Sequence, residues 1–305
     1  MSVRKIFVNM LALVAVLAAA GCRKDELNLN PKNPGKTGDE GDARTELVSE
    51  PGKCDNKIVA HRGGSSECGQ PDNSRASLRY AMSLKIMASE CDIYWTKDNN
   101  IVIGHASSDY KINGMLPWEH TLEEIQKAGL LKNGETLPSL DDFLDIVMTK
   151  GNCTKLWLDI KLVSPNDYSS KAVQRACEII KARKAEKFCE FICTGNTTVA
   201  KVAAQCMTAY GIPVGWMGNQ TPATHKANGF TWANLSAKSH MYPYGARTID
   251  EFVNAGMEIS VFNVDKSSGD GNAVTSASDV KIYIDNYPKI KAICTNYPKW
   301  LKSQL

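Results

Sequence analysis

The feature that most constrains this chain is a repeated alternation of short apolar segments with helical segments, beginning near residue 57. Each apolar segment has the length of a buried strand, and the segments between carry apolar residues at helical spacing. About eight such units in about 250 residues favour a closed parallel barrel over a doubly wound sheet. No glycine fingerprint of a dinucleotide-binding turn follows the first apolar segment. We therefore predict an α/β fold of the TIM (β/α)8 barrel type.

The predicted elements follow from apolar runs, turn residues and helix caps. The predicted strands cover residues 57–60, 88–95, 101–103, 155–161, 191–193, 213–217, 232–235, 258–264 and 290–294. The predicted helices cover residues 74–85, 122–131, 139–148, 168–184, 196–210, 247–255 and 278–284. The stretch of about 106–138 is longer than a simple connection, which predicts a small inserted subdomain after the second strand region.

The N-terminal residues are typical of an export signal. Arg4 and Lys5 precede an apolar run too short for a comfortable membrane span, and small residues lead to Cys22. The run Leu17 to Cys22 resembles a bacterial lipobox, which predicts a signal peptide over 1–21 and a lipid on Cys22. The alternative is an ordinary signal peptide with an incidental cysteine.

Residues 22–54 are rich in Asn, Lys, Gly, Asp and Glu, and this composition predicts a flexible tether. Residues 55–305 then form the barrel domain. We expect an exported bacterial lipoprotein, anchored to the membrane by its lipid and facing the periplasm or the cell surface.

The charge of the chain indicates which partners it can bind, and its cysteine content indicates whether disulfides can form. The net charge is only +3 and no basic stripe interleaves with aromatic residues, so we expect no nucleic-acid partner. Nothing in the pattern indicates an obligate protein partner.

An exported protein can form disulfides, but an odd number of cysteines remains once Cys22 is set aside from the ten. Cys189 and Cys193 lack zinc-site spacing and are predicted to be strand residues.

Three acidic side chains interrupt strands that are otherwise apolar. Glu90 and Asp92 are two residues apart in one predicted strand, so they point to the same face, and Asp159 stands in another strand. A buried carboxylate is costly unless a cation or a hydrogen-bond donor matches it. Three carboxylates without a Cys or His ligand pair favour one hard divalent cation, Ca²⁺ or Mg²⁺.

Basic side chains lie near the ends of the same predicted strands. His61 and Arg62 directly follow the first strand, His105 follows the third, and Lys161 is two residues beyond Asp159. The carboxyl ends of parallel barrel strands meet at one mouth, where active sites are found. Two histidines at that mouth suit proton transfer, and Arg62 and Lys161 suit an anionic group such as phosphate.

The order of these motifs resembles that of the glycerophosphodiester phosphodiesterase family. The resemblance spans about residues 57–301 and rests on His61-Arg62-Gly63, Pro71-Asp72-Asn73-Ser74, Glu90-Cys91-Asp92, Thr96-Lys97-Asp98 leading to His105, Leu137-Pro138-Ser139-Leu140, Leu158-Asp159-Ile160-Lys161, Val261-Phe262-Asn263-Val264 and Thr295-Asn296-Tyr297-Pro298. It implies a TIM barrel that binds one divalent cation and a small-molecule phosphodiester.

The resemblance also implies a role for each candidate residue. The metal ligands would be Glu90, Asp92 and Asp159, and the acid–base pair would be His61 and His105. The phosphate would be contacted by Arg62 and Lys161, with Asp72 and Asn73 supporting these residues. Asp72 is also a candidate cap for the helix that begins near Ser74. The insert at about 106–138 would cap the site and shape its specificity.

The sequence departs from the family pattern at four positions. Asp72 and Asp159 stand where the family usually has Glu, Ser74 stands for Thr, and Ala106 stands for the Asp after the second histidine. The histidine pair, the Glu-x-Asp pair and the lysine are retained. The departures therefore bear on the identity of the substrate more than on the reaction type.

Three functions are compatible with this pattern. The first is metal-dependent hydrolysis of glycerophosphodiesters to glycerol 3-phosphate and an alcohol by His/His acid–base catalysis. The second is a related phosphodiesterase acting on lysophospholipids or glycerophosphate polymers. The third is a non-catalytic, anchored lipoprotein that binds phosphodiesters.

Several other side chains are predicted to serve the fold or the pocket. Three histidines are predicted to be structural: His120, His225 and His240. Three aromatic residues are candidates to line a glycerol or headgroup pocket, with at least one of them belonging to the core: Trp118, Trp216 and Phe262.

Overall fold

The strands close into the predicted barrel. A computed structural model describes residues 46–163, 167–194, 197–230, 232–268 and 271–305. Its strands are β1 Ile58–Ala60, β2 Ala88–Trp95, β3 Ile101–Ile103, β4 Lys155–Ile160, β5 Cys189–Cys193, β6 Val214–Trp216, β7 Trp232–Ser236, β8 Glu258–Phe262 and β9 Ala292–Thr295. Eight of these strands are parallel neighbours, and pairing of β1 with both β2 and β9 closes the ring. β3 is an added strand that pairs antiparallel with β2.

Helices surround the ring and cover its outer face. In the described part of the chain they are α1 Ser65–Cys68, α2 Arg75–Ser83, α3 Leu122–Lys127, α4 Leu140–Val147, α5 Asp167–Arg183, α6 Thr197–Tyr210, α7 Pro222–Ala227, α8 Gly245–Asn254, α9 Ala277–Asp285 and α10 Pro298–Lys302. Ser74 and Ser139, the first residues of two predicted helices, are their N-caps, since their hydroxyls accept the backbone N–H groups of Ser77 and Asp142.

The inside of the barrel is filled by alternate residues of the strands. Trp157 of β4 packs against Trp232 of β7 with ring centroids 4.7 Å apart. A Cβ at Gly215 of β6 would come within 2.7 Å of the Trp232 ring, so the tryptophan needs a glycine opposite it. The same strands carry polar residues nearer their carboxyl ends, which form the mouth. The large rings therefore fill the interior below those polar residues.

Several local features differ from the prediction, among them two short helices that were not predicted, α1 and α10, and α3, which ends at Lys127 instead of residue 131. β8 ends at Phe262 instead of continuing to Val264, because Asn263 adopts a left-handed backbone with φ of 64°. The α7 helix, which was not predicted, begins at Thr221 as N-cap with Pro222 in its first turn. A π-helical segment, Ala237–Met241, follows β7 and was also not predicted.

The end of the predicted tether is bound to the barrel. The backbone N–H of Val48 donates to Met148 O at 2.7 Å, and a disulfide joins Cys54 to Cys153 with 5.4 Å between the Cα atoms. Composition alone did not reveal this order, because it depends on contacts with a segment about a hundred residues away in sequence. The seven other cysteines in the described residues are free thiols.

The predicted signal peptide and the predicted lipidation site, Cys22, lie outside the described residues. Among the helices that are described, none has the combination of length and apolarity that a membrane crossing requires.

The disulfide leads to a prediction about stability. It closes a loop with a sequence separation of 99 residues, so replacing Cys54 and Cys153 by alanine should lower the free energy of unfolding by about 2–4 kcal/mol. Denaturant unfolding of the oxidised protein measures the difference. The matched control is Cys68→Ala, which removes a partly exposed free thiol. Equal unfolding midpoints for the double variant and the control would contradict the prediction.

Candidate active site

Three carboxylates converge at the mouth of the barrel. Glu90 and Asp92 point inward from β2, and Asp159 of β4 is the register partner of Asp92. All three are buried, and each offers an oxygen within 4.8 Å of the others. The structure thus brings together the three acids that the sequence predicts as ligands.

Basic and amide groups surround Asp92. The Nζ atom of Lys161 lies 2.6 Å from Asp92 Oδ1 and also contacts Asp159, while Nε of Arg62 lies 3.2 Å from Asp92 Oδ2. Asn73 donates from Nδ2 to Asp92 Oδ2 at 2.8 Å and accepts the backbone N–H of Asp92 at 3.1 Å. Asp92 is therefore the most fully paired acid of the cluster.

The other two acids retain oxygens without a partner. Within the described residues, Glu90 Oε1 and Asp159 Oδ1 are buried and accept no hydrogen bond. A buried oxygen of this kind is costly unless a donor or a cation satisfies it. Carboxylate oxygens are also the ligands that hard divalent cations prefer, so the three acids fit such an ion.

Burial and charge shift the pKa values of these acids in different directions. Burial raises the pKa of Glu90 well above its ordinary value, and Asp92 and Asp159 raise it further. Burial also opposes ionisation of Asp92, but Lys161 and Arg62 outweigh it and hold the pKa of Asp92 below its ordinary value. Glu90 is thus the acid that most needs an additional positive charge to remain ionised.

His61 is held in a defined orientation at the end of β1. Its Nδ1 lies 2.7 Å from Asn296 Oδ1, and Asn296 is fixed by donating from Nδ2 to Asp265 Oδ2 at 2.7 Å. Because the amide oxygen can only accept, His61 must donate from Nδ1, which leaves Nε2 as the lone-pair nitrogen. Nε2 lies 3.8 Å from Glu90 Oε2 and is therefore directed at the carboxylate cluster.

The loop after β1 is strained where it approaches the acids. Arg62 has φ of 48°, and its backbone N–H donates to Glu90 Oε2 at 2.9 Å. A Cβ at Gly63 would come within 2.4 Å of the Ser77 hydroxyl, so only glycine allows the loop to pack on α2. Strain of this kind is characteristic of functional sites.

His105 directly follows β3 and its neighbour Gly104, on a different loop from His61. The residue before it, Gly104, donates its N–H to the backbone oxygen of Asp92 at 3.1 Å. The His105 side chain is exposed and lines a cavity that also includes Asp72. The two histidines therefore come from different loops, His61 beside Glu90 and His105 next to a glycine that is bonded to the backbone of Asp92.

Asp72 and Asn73 each contact groups of the site, Asp72 from the wall of the cavity and Asn73 from a buried position. Asp72 Oδ2 accepts from Arg62 Nη1 at 3.0 Å, and its other oxygen accepts the Ser65 hydroxyl. Asp72 does not cap α2, since Ser74 does so. The sequence pattern predicted no role for Asp265 or Asn296. The signal that could have identified Asn296 is its place in a motif shared with the family.

The remaining histidines have local partners. His225 is buried and its Nε2 lies 3.0 Å from Gly218 O, while His120 Nδ1 lies 3.1 Å from Leu116 O. His240 Nδ1 accepts the Ser236 backbone N–H at 3.1 Å. These contacts agree with the structural role predicted for the three residues.

The three aromatic residues considered as pocket candidates have different surroundings in the structure. Trp216 is buried in the core, and its ring centroid lies 4.7 Å from that of His225. Trp118 stacks on Tyr168 at 5.0 Å, and Phe262 packs with the residues inside the barrel.

The sequence of this chain matches the model of one protein family. Residues 61–299 match the model of the glycerophosphoryl diester phosphodiesterase family. A curated glycerophosphodiester phosphodiesterase from Caldanaerobacter subterraneus subsp. tengcongensis is 34% identical over 101 residues. That alignment covers 30% of this chain and only 41% of the relative's length.

Solved structures share the fold. A glycerophosphodiester phosphodiesterase from Parabacteroides distasonis matches with a TM-score of 0.65 and 23% identity, over 83% of this chain and 97% of that chain. A phosphodiesterase from Oleispira antarctica, solved in complex with the product sn-glycerol 3-phosphate, matches with a TM-score of 0.62 and 18% identity. The match covers 81% of this chain and 96% of that chain.

The carboxylate cluster leads to a prediction about cation binding. Adding Mg²⁺ or Ca²⁺ to chelator-treated protein should raise the melting temperature, with about 2.7 kcal/mol of stabilisation at a hundredfold excess over the dissociation constant. Asp159→Asn should reduce this response because it removes one anionic ligand. The control Asp109→Asn, an exposed acid outside the cluster, should respond like the wild type. Identical responses of Asp159→Asn and wild type would argue against the site.

Proposed function

The chain belongs to the glycerophosphoryl diester phosphodiesterase family, and on this basis we propose that it hydrolyses glycerophosphodiesters to glycerol 3-phosphate and an alcohol, using a divalent cation. The observation that carries the proposal is the meeting of Glu90, Asp92 and Asp159 beside an oriented imidazole, His61. The similarly folded Oleispira antarctica phosphodiesterase binds sn-glycerol 3-phosphate, which supports the same product class.

The three carboxylates would hold Ca²⁺ or Mg²⁺, because all of their ligand atoms are oxygens. When bound, such a cation polarises a phosphoryl oxygen and lowers the pKa of a nearby hydroxyl. Arg62 and Lys161 would hold the negative charge of the phosphate, since both carry their positive charge at the edge of the cluster. Asp72 and Asn73 would keep Arg62 and Asp92 in place.

The two histidines would move the protons. His61, whose Nδ1 donates to Asn296, has Nε2 available to take the proton of the glycerol 2-hydroxyl. The resulting alkoxide attacks phosphorus, and the bond to the leaving alcohol breaks as His105 donates a proton to its oxygen. In the second half-reaction, His105 takes a proton from water, the hydroxide opens the cyclic phosphate, and His61 returns its proton to the 2-oxygen.

The first alternative keeps this chemistry and changes the substrate to a lysophospholipid or a glycerophosphate polymer. The second alternative, a non-catalytic binding protein, was suggested by Asp72, Asp159 and Ala106. The geometry speaks against it, because the shorter Asp159 still offers an oxygen within 4.8 Å of the other two acids. A binding protein would also have no need of an oriented His61.

Replacing the proposed base tests the reaction. His61→Ala should lower turnover of a glycerophosphodiester by about a hundredfold to ten-thousandfold, because it removes the proton acceptor. The measurement is glycerol 3-phosphate release, with and without chelator, and circular dichroism checks the fold. His120→Ala is the matched control, since the His120 side chain lies in the insert, where its Nδ1 is 3.1 Å from Leu116 O. Chelator-resistant turnover, or near-wild-type turnover of His61→Ala, would refute the mechanism.

We further propose that the protein is exported and anchored through a lipid on Cys22. The Cys54–Cys153 disulfide supports export, since such bonds persist in oxidising compartments. Expression of the full chain and of Cys22→Ser tests the anchor. The wild type should partition with membranes and carry acyl groups by mass spectrometry, whereas Cys22→Ser should lose both. Equal membrane partitioning of the two proteins would contradict the anchor.

A further inference from the structure

A large cavity opens beside His105. Its volume is about 810 Å³, and its walls come from the loop after β1 and from the segment between β3 and α4. Asp72 lies in the first wall, and Lys111 and Lys132 lie in the second. The cavity thus borders the candidate acid of the reaction, His105, and neither His61 nor Asn296 is among its described lining residues.

The two walls are joined by specific contacts. Asn133 donates from Nδ2 to Gln70 Oε1 at 3.3 Å. The Glu135 carboxylate accepts the N–H groups of Arg75 at 2.9 Å and Ala76 at 3.1 Å, at the start of α2. Because both contacts span from the insert to the barrel, the cavity has defined walls and a defined size.

The walls carry polar groups and aliphatic carbon, and among the described residues that line the cavity there is no Phe, Tyr or Trp side chain, the imidazole of His105 being the aromatic ring present. A quaternary ammonium headgroup is usually recognised by aromatic faces. Hydroxyl and amide groups such as those of Ser66 and Asn133 instead suit a ligand that carries hydroxyls.

The charge of the walls is also unfavourable for a cationic ligand. Asp72 is the acidic residue of the lining, and it is already paired with Arg62 at 3.0 Å. Lys111 is paired with Asp109 at 2.7 Å. Lys132 is exposed and, within the described part of the chain, has no ion-pair partner, so its positive charge is left for a ligand.

We propose that this cavity binds the leaving alcohol of the substrate, and that this alcohol is a hydroxylated chain with an anionic group, such as a glycerophosphoglycerol unit. This inference rests on the proposed function, because His105 must donate a proton to the leaving oxygen at the edge of the cavity. A cavity of about 810 Å³ is also far larger than a choline group needs and lies at the upper end of the sizes of ligand pockets.

The substrate range tests the inference on the wild-type enzyme. The probes are glycerophosphocholine, glycerophosphoglycerol, bis(glycerophospho)glycerol and a polyglycerophosphate oligomer. We expect kcat/KM for bis(glycerophospho)glycerol or for the oligomer to exceed that for glycerophosphocholine at least tenfold. Faster turnover of the first would indicate a deacylated lipid as the source, and faster turnover of the second a polymer. Both results support the inference.

Lys132→Glu tests the residue that carries the charge. It should lower kcat/KM for bis(glycerophospho)glycerol about fivefold and leave glycerophosphocholine equal or improved, because it reverses the charge near the leaving group. Lys127→Glu is the control, since it makes the same charge change in the insert outside the cavity lining. Lys132→Gln, which only removes the charge, should give a smaller effect.

The failures of the two proposals are distinguishable. If no diester of the panel is hydrolysed, the proposed function fails. If glycerophosphocholine is hydrolysed as well as or better than the anionic substrates, the proposed function stands and the inference about the cavity is overturned. Equal losses in Lys132→Glu and Lys127→Glu would likewise overturn it.

Discussion

The burial of three carboxylates in one barrel mouth is the constraint on which the rest of this site depends. Glu90, Asp92 and Asp159 are each nearly inaccessible to water. Ionised groups in such a place destabilise the fold unless each is matched by opposite charge or by hydrogen-bond donors. Lys161, Arg62 and other donors around the cluster meet this requirement only in part.

The elements around the mouth can be understood as supports for that cluster. The left-handed Arg62 turns the loop so that its backbone N–H reaches Glu90, and Gly63 lets the same loop lie against Ser77. At His61, a hydrogen bond from Asn296 to Asp265 holds the Asn296 amide in place. The Asn296 oxygen in turn accepts from His61 and so sets its tautomer. Each support acts through a rigid strand end or a helix start, which is how a barrel holds reactive groups in place.

The parts predictable from sequence are those that depend on local periodicity. Glu90 and Asp92 are two apart in a strand, so their common face follows from backbone geometry, and parallel strand ends must meet at one mouth. The pairing of Asp265 with Asn296, the Cys54–Cys153 disulfide and the order of residues 46–54 depend on contacts between distant segments. No period or spacing encodes such pairings, so they required the structure.

Charge balance links the acid cluster to the choice of substrate. Arg62 and Lys161 pair with acids of the cluster, but Arg62 also pairs with Asp72. With Asp72 counted, four carboxylates exceed the two cationic side chains by two negative charges. A divalent cation would cancel this excess and so remove the Coulombic repulsion of an anionic phosphodiester, whereas a monovalent cation would leave the mouth negative. The same reasoning extends to the neighbouring cavity, where the charge of Lys132 favours a leaving group that is itself anionic.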